Sequence, residues 1–315
     1  MRLVFLGTGD FAVAALRSLV AARHEMILAV SQPDRPAGRG MRIEPTPVRR
    51  AAEELGLAHD QAADVNAGEF AKRFAAAELG VVVAFGQKLG DFVLSAPKRG
   101  WINIHGSLLP KYRGAAPYQW AVLNGDAESG VTTFQLNPRW DSGAIWDQDR
   151  TPIGETETAD ELHDRLAILG ADLILKTLRR VEAGEAPGAQ NEGLATRAPK
   201  LKKSDGYLDW SRPAPELVRW INGLWSWPTA TSEFVAADGK RERVQLARAQ
   251  LVEPIAITAD GAPGTLGADG RVQCGSGVLK ILEIKPAGKA KMAFAAFANG
   301  RKLRGGERLE RVVEP

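Results

Sequence analysis

Short apolar runs alternate with helical patterns along the first half of the chain, and this alternation constrains the fold more than any other feature. Residues 2–6, RLVFL, end at the turn GTGDF, lead into the helical pattern AVAALRSLVAA, and are followed by a second run, MILAV, at 26–30. Strand, helix, strand is the repeating unit of a parallel sheet, because a parallel partner is reached only by a crossover. The pattern recurs: EFAKRFAAAELG reads as helix, and VVVAF and WINI read as strands. These runs are apolar throughout, as expected for strands covered by helices on both faces. GVTTFQL and GAIWDQDRTPI alternate more and predict an antiparallel pair, and TADELHDRLAILGADLILKTLRRVEAG predicts a long helix capped by Thr158 and ended by Gly184.

Beyond that helix the character changes. APGAQNEGLATRAPKLKK has no sustained periodicity and reads as a linker; ELVRWINGLWSWP reads as helix as far as the Trp-Pro. RVQLARAQLV, RVQCG and VLKILEIKP are short strand candidates, punctuated by Gly, Asp and Pro as in a small barrel. The expected architecture is α/β: a Rossmann-like, mostly parallel sheet in an N-terminal domain, and a smaller C-terminal β-barrel (OB-like) domain. The expected boundaries are 1–188 for the first domain, 189–206 for a linker and 207–315 for the barrel. A chain of 315 residues is comfortable for two such domains.

The single cysteine, Cys274, excludes an intramolecular disulfide and a Cys-rich zinc site. No run approaches the roughly 20 apolar residues of a membrane span, and MRLVFLGTGDF turns polar too soon for a signal peptide, so a cytoplasmic protein is expected. With no metal cluster or extended apolar interface pattern, a monomer without metal is the expectation. The net charge of +3 is unevenly spread: residues 1–196 hold 21 Lys/Arg against 25 Asp/Glu, a balance of −4, and residues 197–315 hold 20 against 13, a balance of +7. A basic second part suits a polyanion, nucleic acid being the commonest, and equally suits plain solubility of a small domain.

GTGDFA at 7–12 satisfies the dinucleotide pattern G-x-G-x-x-A, and Asp34 lies roughly where a ribose-binding acid could fall. A tight turn that packs helix on strand explains the same residues. Against a nucleotide, the second strand runs into SQPDRPAGRGMRIEPTPVRR, a basic loop with four prolines and five arginines, Arg35, Arg39, Arg42, Arg49 and Arg50. Contact with phosphates explains that loop better than a solvated charged surface does.

The other singular stretch is GWINIHGSLLPKYRGAAPYQW, Gly100 to Trp120. A buried strand here ends in two polar residues, Asn103 and His105, which share one face while Ile102 and Ile104 take the other. Ligands of open α/β sheets bind beyond the carboxyl ends of the strands, where this pair lies. A His satisfied by a neighbouring carbonyl, with Asn capping the loop, is the bland alternative. His24, His59 and His163 all read as solvated. His105 needs an acid, and the best candidate is Asp141 in RWDSGAI. Asn, His and Asp converging on one point suit acyl transfer, with Asn donating to an oxyanion, His handling protons and Asp orienting His. No Ser or Cys nucleophile is signalled, which favours direct attack by a substrate amine.

NIHGSLLPKYRGAAPYQWAVLNGD closely resembles the signature of the formyltransferases that use 10-formyltetrahydrofolate: N-x-H-x-S-L-L-P, then R-G, then D-x-G. FLGTGDFA, SQPDRPAGRG, VVVAFG, APKLKKSDGYLDW and PAGKAKM are similar, in order, to segments of that family's branch acting on methionyl-tRNA, and the resemblance spans nearly the whole chain. It implies transfer of a formyl group from 10-formyltetrahydrofolate to the α-amine of methionine on initiator tRNA, for translation initiation. Asn103 and protonated His105 would stabilise the oxyanion and Asp141 would sustain the charge on His105. The backbone of Ser107, Leu108, Leu109 and Pro110 would hold folate. Arg39, with Arg35 and Arg42 in the same loop, would meet the tRNA acceptor end, and the basic barrel would bind tRNA. Gly9 stands where the family commonly has Pro, Trp140 where Leu is usual, and WSWP for NPWP. A formyltransferase acting on another amine, a sugar nucleotide or glycinamide ribonucleotide, would share the three catalytic residues; a tRNA-binding protein without catalysis would have no reason to carry them.

Overall fold

The structure, a computed structural model, describes residues 1–37, 42–252 and 261–313. It divides into two compact units. One comprises Met1–Pro117, Ser129–Thr151 and His163–Ala198; the other comprises Tyr118–Glu128, Pro152–Leu162 and Pro199–Pro315. The elements run β1 (Arg2–Gly7), α1 (Asp10–Ala21), β2 (Glu25–Ser31), β3 (Arg35–Ala37), β4 (Arg42–Glu44), α2 (Pro47–Glu54), β5 (His59–Gln61), α3 (Glu69–Phe74) and β6 (Leu79–Val83). They continue with α4 (Asp91–Leu94), β7 (Trp101–His105), β8 (Arg113–Gly114), α5 (Pro117–Asn124), β9 (Glu128–Gln135), β10 (Ile145–Pro152), α6 (Ala159–Glu182) and β11 (Arg197–Ala198). The last are α7 (Ala214–Gly223), β12 (Ala230–Val235), β13 (Arg241–Leu251), β14 (Thr265–Leu266), β15 (Arg271–Gln273), β16 (Val278–Pro286), β17 (Met292–Ala293), α8 (Phe294–Arg301) and β18 (Glu307–Arg311).

The first unit is built on a seven-stranded sheet in the order β10-β9-β7-β6-β1-β2-β5. From β7 to β5 every pairing is parallel, and β9 joins β7 antiparallel. The expected mostly parallel sheet is therefore present. Its apolar strands pack against helices, and one core gathers Val4, Leu6, Phe74, Val82, Phe85 and Trp101. Trp101 is fully buried, edge-on to Phe74 at 5.3 Å, and its indole N–H donates to the Val93 carbonyl at 2.7 Å. Only glycine fits beside it at position 80, where a Cβ would lie 2.0 Å from the indole.

Several boundaries differ from the sequence expectation. α3 stops at Phe74, because the Glu78 N–H donates to the Arg2 carbonyl at 2.8 Å and draws the chain into the sheet, overriding the helical propensity of the alanines. β6 begins at Leu79 and ends at Val83; Ala84, at φ 45°, turns the chain out of the sheet. The segment after β2 is not one long loop. Among the described residues it holds the antiparallel pair β3–β4 and helix α2, which Thr46 caps by accepting from the Arg49 N–H. The expected caps of the long helix are both present: Thr158 and Glu161 exchange bonds as a capping box, and Gly184 follows at φ 75°.

The second unit contains a barrel. Strands β13-β12-β18-β14-β15-β16 form a sheet that closes by the pairing of β13 with β16, and β17 adds to β16. All its pairings are antiparallel. Leu217 and Ile221 of α7 and Phe297 of α8 join Phe234, Val244 and Ile281 in the core. α7 ends at Gly223 and not at the Trp-Pro; the Leu224 carbonyl accepts from Thr229 at 2.9 Å instead of from a further helical turn. Among the described residues, no helix is long and apolar enough to cross a membrane.

Candidate active site

β7 lies between β6 and β9 and delivers its carboxyl end to the loop that follows. Ile102 and Ile104 point into the core, 0% and 3% exposed, so alternation sends Asn103 and His105 to the other face together. His105 is buried and edge-on to Phe134. Its Nε2 lies 2.9 Å from the Tyr112 carbonyl oxygen, and because a carbonyl only accepts, Nε2 carries a proton. Nδ1 is then the nitrogen left for chemistry, and it lies 4.0 Å from Oδ2 of Asp141. The amide of Asn103, half-buried, has no hydrogen-bond partner among the described residues and lines the cleft that Asp141 also lines.

Asp141 is held with unusual thoroughness. Its backbone is left-handed, φ 48°, a conformation that costs most side chains about 1 kcal/mol and that Asp tolerates better than most. Its Oδ2 accepts from the Gly114 N–H at 2.8 Å. The Gln190 amide donates to the carbonyls of Asp141, at 2.9 Å, and Gly143, at 2.8 Å, clasping the turn from both ends. Arg113 donates to the Gln190 oxygen and also pairs with Glu192, which leaves the Gln190 amide one workable orientation. At position 143 a Cβ would lie 1.6 Å from the Gln135 carbonyl oxygen, so the D-x-G pattern needs its glycine for close approach to β9.

The SLLP segment is bound into the same unit. Thr132 donates to the Ser107 carbonyl and accepts from the Leu109 N–H; the Gln148 amide donates to the Leu109 carbonyl; Lys111 N–H and Thr196 N–H take the Leu108 and Pro110 carbonyls. Much of the backbone of Ser107–Pro110 is thus committed internally. The cleft itself is open to solvent and is walled by Val82, Leu89, Leu94 and Leu136, with Asn103, Gln87 and Asn137 as polar groups and Lys88 and Arg139 as cations. Trp140, 61% exposed, stands at its edge. Sequence reasoning missed Gln190, Glu192, Thr132 and Gln148. Only the Arg113-Gly pair hinted at the first two, since an arginine that must stay put needs acceptors.

The glycine-rich start is a packing turn. A Cβ at Gly7 would meet Ala12 at 2.8 Å and Phe5 at 2.7 Å. Asp34 is spent on structure: it accepts from the Thr46 N–H, the Gln61 amide and Arg49. Burial pushes its carboxyl up, and those hydrogen bonds outweigh burial and hold it below the usual range. Arg49 is thereby committed, whereas Arg35 is exposed and its side chain donates to Gln32. Arg42 begins β4, and Arg39 lies outside the described residues. His24 and His163 are half-buried, not solvated: His24 meets the N-terminal amine, and the His163 ring lies tilted against Phe11 at 5.3 Å. His59 is exposed, as expected.

Residues 1–178 match the family described as formyl transferase, and residues 200–302 match the formyl transferase C-terminal domain. The chain belongs to the formyl transferase family. One formyl transferase relative, from Moorella thermoacetica and named methionyl-tRNA formyltransferase, is 44% identical over 98% of this chain and 99% of its own length. Among solved structures, HypX from Aquifex aeolicus in complex with tetrahydrofolic acid superposes with a TM-score of 0.64 at 19% identity, over 96% of this chain. This chain spans 47% of the length of HypX. An N-formyltransferase from Helicobacter canadensis, in complex with folinic acid and dTDP-3-aminofucose, gives 0.63 at 15% identity, over 89% of this chain and 98% of its own. At those identities the two structures speak for the formyl transferase fold alone.

Proposed function

We propose that this protein transfers a formyl group from 10-formyltetrahydrofolate to the α-amine of methionine on initiator tRNA. The observation that carries the reaction is the joint placement of an unpartnered Asn103 amide and the His105–Asp141 pair at one strand end. The near full-length similarity to relatives named methionyl-tRNA formyltransferase carries the choice of acceptor.

The cleft beside Asn103 suits the donor. Its leucine and valine walls match a flat ring, its amide groups match the ring's polar edge, and Lys88 and Arg139 match an anionic tail. Ser107, Leu108, Leu109 and Pro110 do not line that cleft, and their assignment to folate rests on the family signature they carry. In the reaction the amine nitrogen bonds the formyl carbon, the bond to N10 breaks, and the proton lost by the amine ends on N10. Asn103 donates to the oxygen on which negative charge develops, an interaction typically worth about 10²–10³ in rate. His105 works through Nδ1, since Nε2 is tied to Tyr112, and Asp141 supports the positive ring and relays protons. We assign residues 1–188 to catalysis, 189–206 to the linker and 207–315 to tRNA binding, with Gln190 and Glu192 serving the catalytic turn. Arg35, Arg39 and Arg42 meet the acceptor end.

The test is purified protein with 10-formyltetrahydrofolate and charged initiator tRNA, scored by formylated product. Absence of product, or equal turnover of an amino sugar nucleotide or glycinamide ribonucleotide, refutes the assignment. Arg39→Ala should weaken tRNA engagement, with an effect that shrinks at high salt.

A further inference from the structure

The second unit holds a pocket of its own on the outward face of the barrel, about 700 Å³ with its open mouth. Its floor follows from strand register. Thr231 on β12 is opposite Gln245 on β13, which is opposite Lys285 on β16, so three polar side chains form one row, and Arg243 stands two residues along on the same face. Its wall is the turn after α7, with Trp225 and Trp227, and Lys203 closes one side.

The charges in this pocket are unbalanced. Lys203, Arg243 and Lys285 line it, and no carboxylate does. Glu283 pairs with Arg248 at 3.2 Å and Lys291 at 2.9 Å, and Asp205 accepts from the Lys202 N–H; Glu233 stands opposite Arg243 in register but outside the pocket lining, and the cation within ion-pair distance of it is Arg241, at 3.9 Å. Among the described residues the three pocket cations have no acidic partner. The aromatics are unbalanced as well. Lys291 sits over Trp225, whereas Trp227 is 58% exposed at the pocket edge. A bare anion would satisfy the cations and leave the indole wet; an apolar ligand would do the reverse. A planar ring carrying a phosphate satisfies both.

We propose that this pocket binds one nucleotide, its phosphate among Lys285, Arg243 and Lys203 and its base against Trp227. The nucleotide is either free in solution or part of an RNA chain, and the RNA source rests on the substrate reading above.

Calorimetric titration of the full-length protein with AMP, with inorganic phosphate and with adenosine tests the pocket without any formyl donor. Saturable AMP binding is expected, at least about tenfold tighter than phosphate or adenosine alone. Trp227→Ala should weaken it roughly 5- to 150-fold, the range of a lost base–aromatic stack. Lys285→Gln and Arg243→Gln should weaken it too, whereas Lys240→Gln, whose lysine pairs with Asp238, should not. Competition of AMP by tRNA places the nucleotide in RNA; AMP binding that tRNA leaves untouched places it in solution. No saturable binding of AMP or RNA, or affinities within twofold of wild type in Trp227→Ala and Lys285→Gln, overturns the proposal. Formyl transfer measured alongside separates the two readings: failed transfer with intact nucleotide binding refutes only the reaction, and the reverse refutes only the pocket.

Discussion

Replacing Gly143 by alanine should disable the site by displacing one turn. The added Cβ would sit 1.6 Å from the Gln135 carbonyl oxygen, and real Cβ atoms essentially never approach within 3.0 Å. The obstacle is backbone in β9, so the turn carrying Asp141 must retreat by about 1.4 Å. Gln190 cannot follow without releasing Arg113, because its amide bonds both ends of the turn while its oxygen is held. A misplacement of about 1 Å costs on the order of 10²-fold in rate, and overpacking of this kind costs about 1–3 kcal/mol of stability. Formyl transfer should therefore fall about 10²-fold in kcat/KM with a lowered but cooperative thermal transition. Gly9→Ala is the control: a Cβ there meets nothing within 4 Å and φ is −86°, and because the entropy gain opposes the poorer N-cap of α1, stability within about 1 kcal/mol of wild type with unchanged rate is expected. If Gly143→Ala does not fold, Gln190→Ala takes its place, since it removes the clasp and inserts nothing. Activity within threefold of wild type in a folded Gly143→Ala protein, or in Gln190→Ala, would refute the positioning argument.

Asn103→Ala should lower kcat about 10²–10³-fold while tRNA affinity, read by filter binding, stays near wild type. Cys274 is buried and its thiol is pushed up to about 12 by burial; thiolate at pH 8 is then about a thousandfold scarcer than on a free cysteine, so a disulfide reagent should label the native protein slowly and the denatured protein at once. Glu161 offers a pH signature. Burial pushes its carboxyl up, but hydrogen bonds from Arg248 and Thr158 outweigh burial and bring it down to about 2 from 4.5. A depressed folded value means stability present above pH 4.5 and lost as pH falls toward 2. Because the side chain is half-exposed, screening reduces that contribution to about 1 kcal/mol. The thermal transition of Glu161→Gln should lie below that of wild type near pH 6 and converge with it near pH 2.

The parallel sheet, the strand that ends in Asn103 and His105, and the caps of the long helix could all be read directly because each rests on a local rule. A β-strand alternates its faces at every residue, a run apolar on both faces must be covered on both, and Thr158 three residues before Glu161 caps a helix wherever it occurs. Asp141 was nominated by spacing and motif, yet its value depends on contacts that no local rule encodes. The turn is placed by a carbonyl of β9 and by Gln190, 49 residues away, inside a segment that read as an idle linker.

Charge followed the same division. The surplus of cations in the second part of the chain was plain from counting. Which of them remain unpaired was not, because ion pairing in a barrel is set by strand register. Glu283 lies two residues from Lys285 in sequence and pairs with Arg248 and Lys291, while Thr231, Gln245 and Lys285 come together from three separate strands. Local patterns specify which face a residue takes; neighbours on that face come from distant parts of the chain, and only the closed barrel and the packed sheet select them.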